Sequence, residues 1–537
     1  MDEQTVQATQ ENQPKMPKFR RTVGTRETVG LIAFETANGI PFRLGEHQEW
    51  LDRTLGIDLN LQFIARFIIG FGDIINDTFL AVLIEKIRTR WGKFKPLLAV
   101  FPFLSIPVTI IMSLLPVIFW GTPSTLMAKF VSWVVTRLLA DISNTVWNIA
   151  SVGMLANVTP DPQERLSLIT KARFLSMLNG PVGLIRDILR DVISNRNITL
   201  YPNVSRATQV AAETARELSL RRMFGIFGVV TMVAGGLFGW YFAMVSKERV
   251  MGSANIAKQE KPPTFRESMR AIKGNRPLLM IVLHEILDGV RVNDQMGRYT
   301  SSILNFSNFG TVYGIPGSII NPFSYAYVTK LRARFSTKFL WVAGRNLNRP
   351  LQIIIYFVGM LPAGPRSSPG ERYTYHRLYA HFIPMVIAHG ISDMVRQSTW
   401  GVQVVIPEEI RNETIDYGEW KNGFRSEAVV GMLRGVPGKL AGMFGGAVTD
   451  FIMARVGFQT GEDFLDQPPE VADWIWRMTH LIPVLFALLA VIPQLFYNIG
   501  TKEREVMYAE LTERRHAALE AQKAFAREAE EFEQGEE

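Results

Sequence analysis

The stretch "FGDIINDTFLAVLIEKIRTRWGKFKP", from Phe71 to Pro96, combines an apolar run, two acidic residues and a dense basic end. Asp73 and Asp77 are four residues apart, so a helix places both carboxylates on one face. Lysines and arginines crowd the segment from Lys86 to Lys95. An apolar helix that ends in a basic loop is typical of a membrane-spanning segment whose basic end lies in the cytoplasm.

Apolar segments of this length recur along the chain. The sequence has 537 residues, of which 47% are hydrophobic and 20% charged. A helix needs about 20 mostly apolar residues to cross a bilayer, and with weaker segments included the chain offers about twelve. The sequence therefore predicts an all-α membrane protein with twelve transmembrane helices. The clearest segments run from Phe94 to Phe119, Leu126 to Val158, Met223 to Val245, Phe339 to Leu361 and Leu481 to Ile499.

Loop charges predict the orientation. The segments 86–95 and 330–338 are basic. The stretch "QTGEDFLDQPPEVAD", at 459–473, has five acidic residues and no basic one. By the positive-inside rule the first two lie in the cytoplasm, together with both termini. The stretch 196–222 goes against this rule, because it is predicted to be an outer loop and yet carries several arginines. We expect a multi-pass protein of the cell membrane. Its net charge of +8 mostly reflects a basic inner surface that faces anionic lipid, and we expect no binding of nucleic acid.

A long polar link divides the apolar segments into two similar sets, as in transporters built from two related halves. The chain has no cysteine, which excludes disulfides and thiolate metal sites. The charge pattern of the tail predicts a solvated helix that transport does not need. The predicted organisation is a disordered N-terminus (1–21), a six-helix bundle (22–246), a cytoplasmic linker (247–275), a second six-helix bundle (276–500) and a charged cytoplasmic tail (501–537).

Two motifs in opposite halves carry a family resemblance. "DIINDTFLAVLIEKIRTRWGKFKP", together with "DYGEWKNGFRSE" at Asp416 to Glu427, resembles the melibiose permease-like glycoside-pentoside-hexuronide:cation symporters, over residues 22–502. The resemblance implies the major facilitator fold, with twelve transmembrane helices in two six-helix halves. It also implies that Na⁺ or H⁺ drives the transport of a sugar, glycoside or oligosaccharide, with a uronide among the candidates, by a monomer that needs no other cofactor.

The resemblance assigns the coupling-cation site to Asp73, Asp77 and Lys439. Two carboxylates at membrane depth are costly unless a positive charge compensates them. Lys439, in "RGVPGKLAG", would neutralise them until a cation takes its place. If the cation is Na⁺, both aspartates are metal ligands. The alternatives are a structural pair of carboxylates bonded to arginines or water, and a lysine that reaches towards the membrane surface.

The resemblance places the substrate contacts at Asn148, Arg173 and Trp400. The family's usual Pro-Tyr after that asparagine is missing, and Trp400 aligns only if a gap is allowed. A tryptophan can stack on a sugar ring, but it can also be a packing residue or an interface anchor. Arginines in or near the spans suit an acidic substrate, or they pair with neighbouring aspartates inside the bundle. These arginines are Arg186, Arg190, Arg291, Arg298, Arg349 and Arg396.

Two other functions remain open. Proteins of the same fold also carry lysophospholipids, for which a greasy cavity open to the bilayer would be expected. A membrane-bound enzyme is the more distant alternative. The segment "HEILD", from His284 to Asp288, begins like a zinc-binding His-Glu-x-x-His motif but has aspartate in place of the second histidine. We therefore expect no catalytic residues.

Overall fold

The computed structural model shows a helical protein. No β-strand occurs among the residues that it describes. Several predictions concern residues outside this set: the disordered N-terminus, nearly all of the linker, the substrate contact Arg173 and most of the tail. The structure describes residues 23–39, 48–86, 89, 91–92, 94–120, 125–159, 164, 168, 171–172, 180–195, 206–248, 274–292, 294–359, 382–422, 427–461, 467–500, 503–511 and 513–514.

The first set of helices ends before the polar link. Helix α3 packs against both α4 and α6, and α1 packs against α6. A π-helical turn, Trp50–Leu55, precedes α2 and is completely buried. These helices are α1 (Thr25–Gly39), α2 (Leu59–Lys86), α3 (Lys95–Ile118), α4 (Leu126–Asn157), α5 (Gly180–Ser194) and α6 (Arg206–Val245).

The second set begins after the link and contains shorter pieces. Helix α7 packs against α14 and α16, and α8 packs against α12. A helical turn, Met296–Arg298, and a π-helical turn, Tyr299–Ile303, follow α7. The helices are α7 (Arg276–Gly289), α8 (Phe309–Ser324), α9 (Val328–Arg334), α10 (Thr337–Asn346), α11 (Arg349–Gly359), α12 (Phe382–Ser398), α13 (Trp400–Asn422), α14 (Glu427–Val456), α15 (Pro469–His480) and α16 (Ile482–Leu495).

Capping residues fix where two helices of the second set begin. The Asn275 side chain accepts a hydrogen bond from the Leu278 backbone N–H at 3.1 Å, and Pro277 occupies the first turn of α7. Ser336 caps α10 in the same way, by accepting from the Phe339 N–H at 3.2 Å. Both caps satisfy a backbone donor that lacks a partner in the first turn, so each helix starts directly at the end of a polar segment.

Membrane-spanning potential is uneven among the described helices. Several of the described helices carry ionisable residues in mid-helix, such as Asp73 and Asp77 in α2. Others are interrupted, as at Thr399 between α12 and α13. Twelve transmembrane helices and the bundle boundaries stay predictions. In the described part of the chain, three helical segments are long and apolar enough to cross a bilayer: Lys95–Ile118, Val210–Val245 and Glu470–Leu495.

Helices α2 and α14 bring the two sets of helices together. A Cβ at Gly70 of α2 would lie 2.5 Å from the sulfur of Met443 in α14, so the missing side chain allows a close approach. One turn further along α14, Gly446 faces the Arg66 side chain of α2. Small residues at such contacts are typical of helix pairs in membranes. This contact positions α14 beside the acidic face of α2.

The arginine-rich stretch 196–222 is not an extended loop throughout. Helix α6 already begins at Arg206, well before the apolar segment predicted from Met223. Arg221 stacks over the ring of Trp120 at 4.5 Å, and Glu217 accepts hydrogen bonds from Arg53 at 2.7 and 2.9 Å. These charges are used within the protein, which explains how arginines fit on the predicted outer side.

The expectation of a solvated tail is wrong for the described part of that helix. Met507 and Leu511, at 0% and 1% exposure, belong to a hydrophobic cluster with residues of α7, α10 and α13. The Trp420 indole N–H donates to Glu510 at 2.7 Å. Burial and the nearby Asp416 and Glu413 carboxylates raise the pKa of Tyr508 to about 12, so its hydroxyl keeps its proton and donates to Asp416. The described part of the tail is amphipathic, and its apolar face is packed.

Candidate cation and substrate site

Helices α2 and α14 place the three charges of the predicted cation site together. The Lys439 ammonium donates to Asp73 Oδ2 at 2.8 Å and also contacts Asp77 Oδ2. The side chains of Lys439, Asp73 and Asp77 are 40%, 34% and 42% exposed. The lysine therefore bridges both carboxylates while all three groups face open space.

Thr145 of α4 adds an oxygen to this site. Its hydroxyl donates to Asp77 Oδ1 at 2.9 Å, and the Asn76 amide donates to the Thr145 hydroxyl at 3.3 Å. Carboxylate and hydroxyl oxygens are suitable ligands for a hard cation. Sequence reasoning missed Thr145, because one threonine in a long apolar helix has no spacing or motif that distinguishes it.

A cavity of about 540 Å³ lies beside the three charges. Asn148 lines it, as the family resemblance predicts for a substrate contact. Arg137 and Asp141 also line it and form an ion pair at 3.2 Å, one turn apart on α4. The lining is mainly polar, with amides, carboxylates and one guanidinium that can bond to hydroxyl groups. We call this space the N-half cavity.

A second group of ion pairs joins the two sets of helices, and it contains none of the residues that line the N-half cavity. Arg298 donates to Asp52 at 2.7 Å and to Asp450 at 3.3 Å, and Arg190 donates to Glu49 at 2.7 Å. The exposure of these side chains ranges from 0% to 3%. We call Glu49, Asp52, Arg190, Arg298 and Asp450 the outer charge cluster, since Arg298 follows α7 towards the predicted outer side.

Backbone contacts reinforce this cluster. The Gly461 N–H donates to the Asp52 carbonyl at 2.7 Å, and the Arg190 guanidinium donates to the Ser301 carbonyl at 2.8 Å. Gly56 and Gly461 face each other with φ of 68° and 83°, a conformation that favours glycine. The first set of helices is therefore tied to the second by both charges and backbone at this end.

Comparison with known proteins assigns the family. Residues 48–501 match the family described as MFS/sugar transport protein. The chain belongs to this family. It is therefore an integral membrane protein of the MFS/sugar transport class, and the resemblance to glycoside-pentoside-hexuronide symporters is confirmed.

Three named relatives align along most of the chain. The isoprimeverose transporter of Lactiplantibacillus pentosus is 24% identical over 85% of this chain and 83% of its own length. The glucuronide carrier protein homolog of Escherichia coli K12 is 21% identical over 91% of this chain and 96% of its own. The lactose permease of Lactobacillus helveticus is 21% identical over 83% and 63%.

Most of the arginines that the sequence analysis singled out form ion pairs with aspartates in this MFS/sugar transport protein. This arrangement fits the interpretation of intramembrane arginines as partners of neighbouring aspartates. Arg349 instead donates to Gln352 at 3.1 Å. The observed pairs are Arg186 with Asp187 at 2.6 Å, Arg190 with Asp191 at 3.1 Å, Arg291 with Asp288 at 3.3 Å, Arg298 with Asp52 at 2.7 Å and Arg396 with Asp393 at 2.5 Å.

Two further residues that the sequence singled out and the structure describes, Trp400 and His284, do not line the N-half cavity. Trp400 begins α13 beside Gly401, whose N–H donates to Ser324, and it is not among the residues that line this cavity. His284 bonds to the Ala490 carbonyl at 2.7 Å and packs against Trp341. Its ring is used for helix packing. In the described residues, no group of three or more His, Asp or Glu side chains could hold a metal ion.

Proposed function

We propose that this protein is a secondary transporter that moves a sugar, glycoside or oligosaccharide across the cell membrane together with Na⁺ or H⁺. The observation that carries the proposal is the bridge from Lys439 of α14 to Asp73 and Asp77 of α2. A lysine between two carboxylates occupies the position that a cation would take. Cation binding would release Lys439 and change the contact between the two halves.

Alternating access is the mechanism that this geometry supports. The outer charge cluster is buried and closed, whereas Lys439, Asp73 and Asp77 are partly exposed. With the predicted topology, in which both termini are cytoplasmic, this arrangement corresponds to a conformation closed to the outside. Transport would then require the outer charge cluster to separate, so that the N-half cavity opens to the other side.

The N-half cavity favours a sugar over a lipid. Within one cavity of about 540 Å³, Asn144 and Asn148 provide amides. Arg137 provides hydrogen-bond donors, and Asp141 provides acceptors. Groups of this kind bind hydroxyls and would be left without partners by an acyl chain. A sugar, glycoside or oligosaccharide is accordingly the proposed substrate, with the cation as the co-transported ion.

Uptake into proteoliposomes tests the proposal. The probes are radiolabelled neutral sugars and p-nitrophenyl glycosides, each offered with a Na⁺ gradient, a proton gradient or neither. We expect at least one probe to accumulate above its external concentration with only one of the two gradients. Chemical conversion of a probe would indicate an enzyme instead. Uptake of lysophosphatidylcholine without uptake of any sugar would overturn the assignment of a sugar substrate.

Orientation can be measured in the same preparation. The natural chain has no cysteine, so a single introduced cysteine gives an unambiguous label. Lys93→Cys and Ser124→Cys should react with a membrane-impermeant maleimide from opposite sides. Labelling of both from one side would contradict the proposed topology.

A further inference from the structure

A second cavity lies in the other half of the protein, outside the predicted substrate site. Its volume is about 520 Å³, and residues of α7, α10, α13 and α14 line it. Gly438 of α14 is one of these residues, and the next residue, Lys439, lines the N-half cavity. The two cavities are therefore adjacent along α14. We call the second one the C-half cavity.

Asp288 and Arg345 form the polar centre of the C-half cavity. The Asp288 carboxylate accepts from Arg345 at 3.1 Å and from Arg291 at 3.3 Å. Both guanidinium groups remain 42% exposed, whereas Asp288 is 21% exposed. Gln403 and Trp341 also line the cavity. This combination presents donors, acceptors and an aromatic side chain to one space, as ligand-binding pockets do.

The charges in and around this cavity balance among the described residues. Three carboxylates line it, those of Glu285, Asp288 and Glu408. Three guanidinium groups lie in it or pair with its acids: Arg345 and Arg291 bond to Asp288, and Arg411 bonds to Glu408. Arg349 and Asp294 add one further cation and anion nearby. An acidic ligand would find no surplus positive charge, whereas neutral hydroxyl groups can bond to carboxylates and guanidinium groups alike.

Close packing links this cavity to the cation site. A Cβ at Gly289, the residue after Asp288, would lie 2.8 Å from the Ala441 Cβ and 3.2 Å from the Gly438 carbonyl of α14. Only a residue without a side chain fits at this distance. A movement of α14 that follows the release of Lys439 would therefore shift Gly289 and Asp288 as well. A ligand held by Asp288 would sense whether the cation is bound.

We infer that the C-half cavity is a second substrate subsite, in which Asp288 and Arg345 bind the hydroxyl groups of a neutral, hydroxyl-rich ligand. The inference rests on the proposed transport function. It narrows that function, because it states that the transporter binds neutral glycosides more tightly than uronides. Asp288 binds two guanidinium groups, so its loss leaves an excess of positive charge that an acidic sugar can use. The carboxylate thus determines which class of sugar binds.

Matched neutral and acidic glycosides test the inference. The probes are p-nitrophenyl α- and β-glycosides of glucose and galactose, each beside the corresponding uronide, titrated calorimetrically into purified full-length protein. We expect a neutral glycoside to bind at least tenfold more tightly than its uronide. Arg345→Gln should weaken the neutral glycoside by at least tenfold. Asp288→Asn should do the same and should shift the preference towards the uronide, a change that a merely structural role would not produce.

A matched ion pair provides the control. Glu409 accepts from Arg332 at 2.8 Å and does not line the C-half cavity. Glu409→Gln should therefore leave both dissociation constants within twofold. A wild-type preference for uronides, or affinities in Asp288→Asn and Arg345→Gln equal to those of this control, would overturn the inference while the transport function stands. If no sugar of either class binds or is transported, the proposed function fails, and the inference fails with it.

Discussion

The outer charge cluster and the Asp73–Asp77–Lys439 site both join the two halves through ion pairs, but they differ in contact with water. Arg298 and Asp450 are 1% and 0% exposed, whereas Lys439 and Asp77 are 40% and 42% exposed. A buried pair can separate only if water reaches both partners, because an isolated buried charge is strongly unfavourable. An exposed pair can exchange one partner for a cation at little cost.

This difference suggests a division of labour. Exposed ion pairs are worth about 0–1 kcal/mol, so a cation can compete with Lys439 for the carboxylates. Removal of one partner from a buried pair costs about 3–5 kcal/mol. The exposed site is suited to sense the cation, and the buried cluster is suited to hold one side of the protein closed. Mutations in the two regions should therefore fail in different ways.

The largest effect is expected at the exposed site. Asp73→Asn or Asp77→Asn removes a cation ligand and should abolish uphill accumulation of substrate, while substrate exchange down its gradient persists. Lys439→Ala should also impair coupling, because the carboxylates are then not neutralised when no cation is bound. The measurement is accumulation and exchange in the same proteoliposomes, at defined Na⁺ concentration and pH.

A substitution directly before the same helix serves as the control. Asp58 accepts from the Asn60 N–H at 2.8 Å near the start of α2 and takes no part in the lysine bridge. Asp58→Asn should keep normal accumulation. If either mutant of Asp73 or Asp77 still accumulates substrate with the wild-type dependence on cations, the coupling site lies elsewhere and the comparison between the two regions loses its basis.

The second largest effect is expected in the outer charge cluster. Arg298→Gln leaves Asp52 and Asp450 without their shared partner, and exposure of this region to water relieves part of the cost. The outward-open state should gain population. Ser302, which is 7% exposed, can be replaced by cysteine as a reporter. We expect its labelling by an external impermeant maleimide to rise by at least tenfold in Arg298→Gln.

Equal labelling rates with and without Arg298 would show that the cluster does not control opening. A loss of labelling together with precipitation would indicate misfolding, which size-exclusion chromatography distinguishes. The same reporter combined with Asp73→Asn separates the two regions further. That mutant should label at about the rate of the reporter alone when the cation is absent, because Asp77 still pairs with Lys439 across the two halves.

The sequence predicts the exposed site better than the buried one, for physical reasons. Two carboxylates and one lysine in otherwise apolar segments require each other, and the structure places all three in contact. The outer charge cluster lies at helix ends, where a charged residue in sequence is usually solvated. Arg298 and Asp52 are 246 positions apart, and nothing in either local sequence indicates the other.

Local pattern also fails where a packed helix resembles a solvated one. The tail from 503 has so many charges that its few apolar residues look incidental, yet Met507 and Leu511 are buried. Trp400, which a gapped alignment selects as a substrate contact, does not line the N-half cavity, and its role stays a prediction. Which face of a helix is covered depends on tertiary packing, which periodicity alone does not specify.

The smallest effect on coupling is expected in the tail. Its described residues contact the second half of the protein. Arg504 donates to Glu413 of α13 at 2.8 Å, and Met507 and Leu511 pack in the same half. Substitution of a buried Leu or Met by Ala costs about 2–5 kcal/mol. Met507→Ala and Leu511→Ala should therefore lower the thermal stability of the purified protein.

Cation coupling should survive these changes, because the buried tail residues pack against α7, α10 and α13, which all belong to the second half. Leu511→Ala, which removes only the packed side chain, should keep the wild-type ratio of internal to external substrate at a temperature well below its melting point. The exposed Glu505→Ala is the matched control, and its melting temperature should be unchanged. If Leu511→Ala abolishes accumulation while the protein remains folded, coupling depends on a contact within one half, and the inter-half ion pairs alone do not account for it.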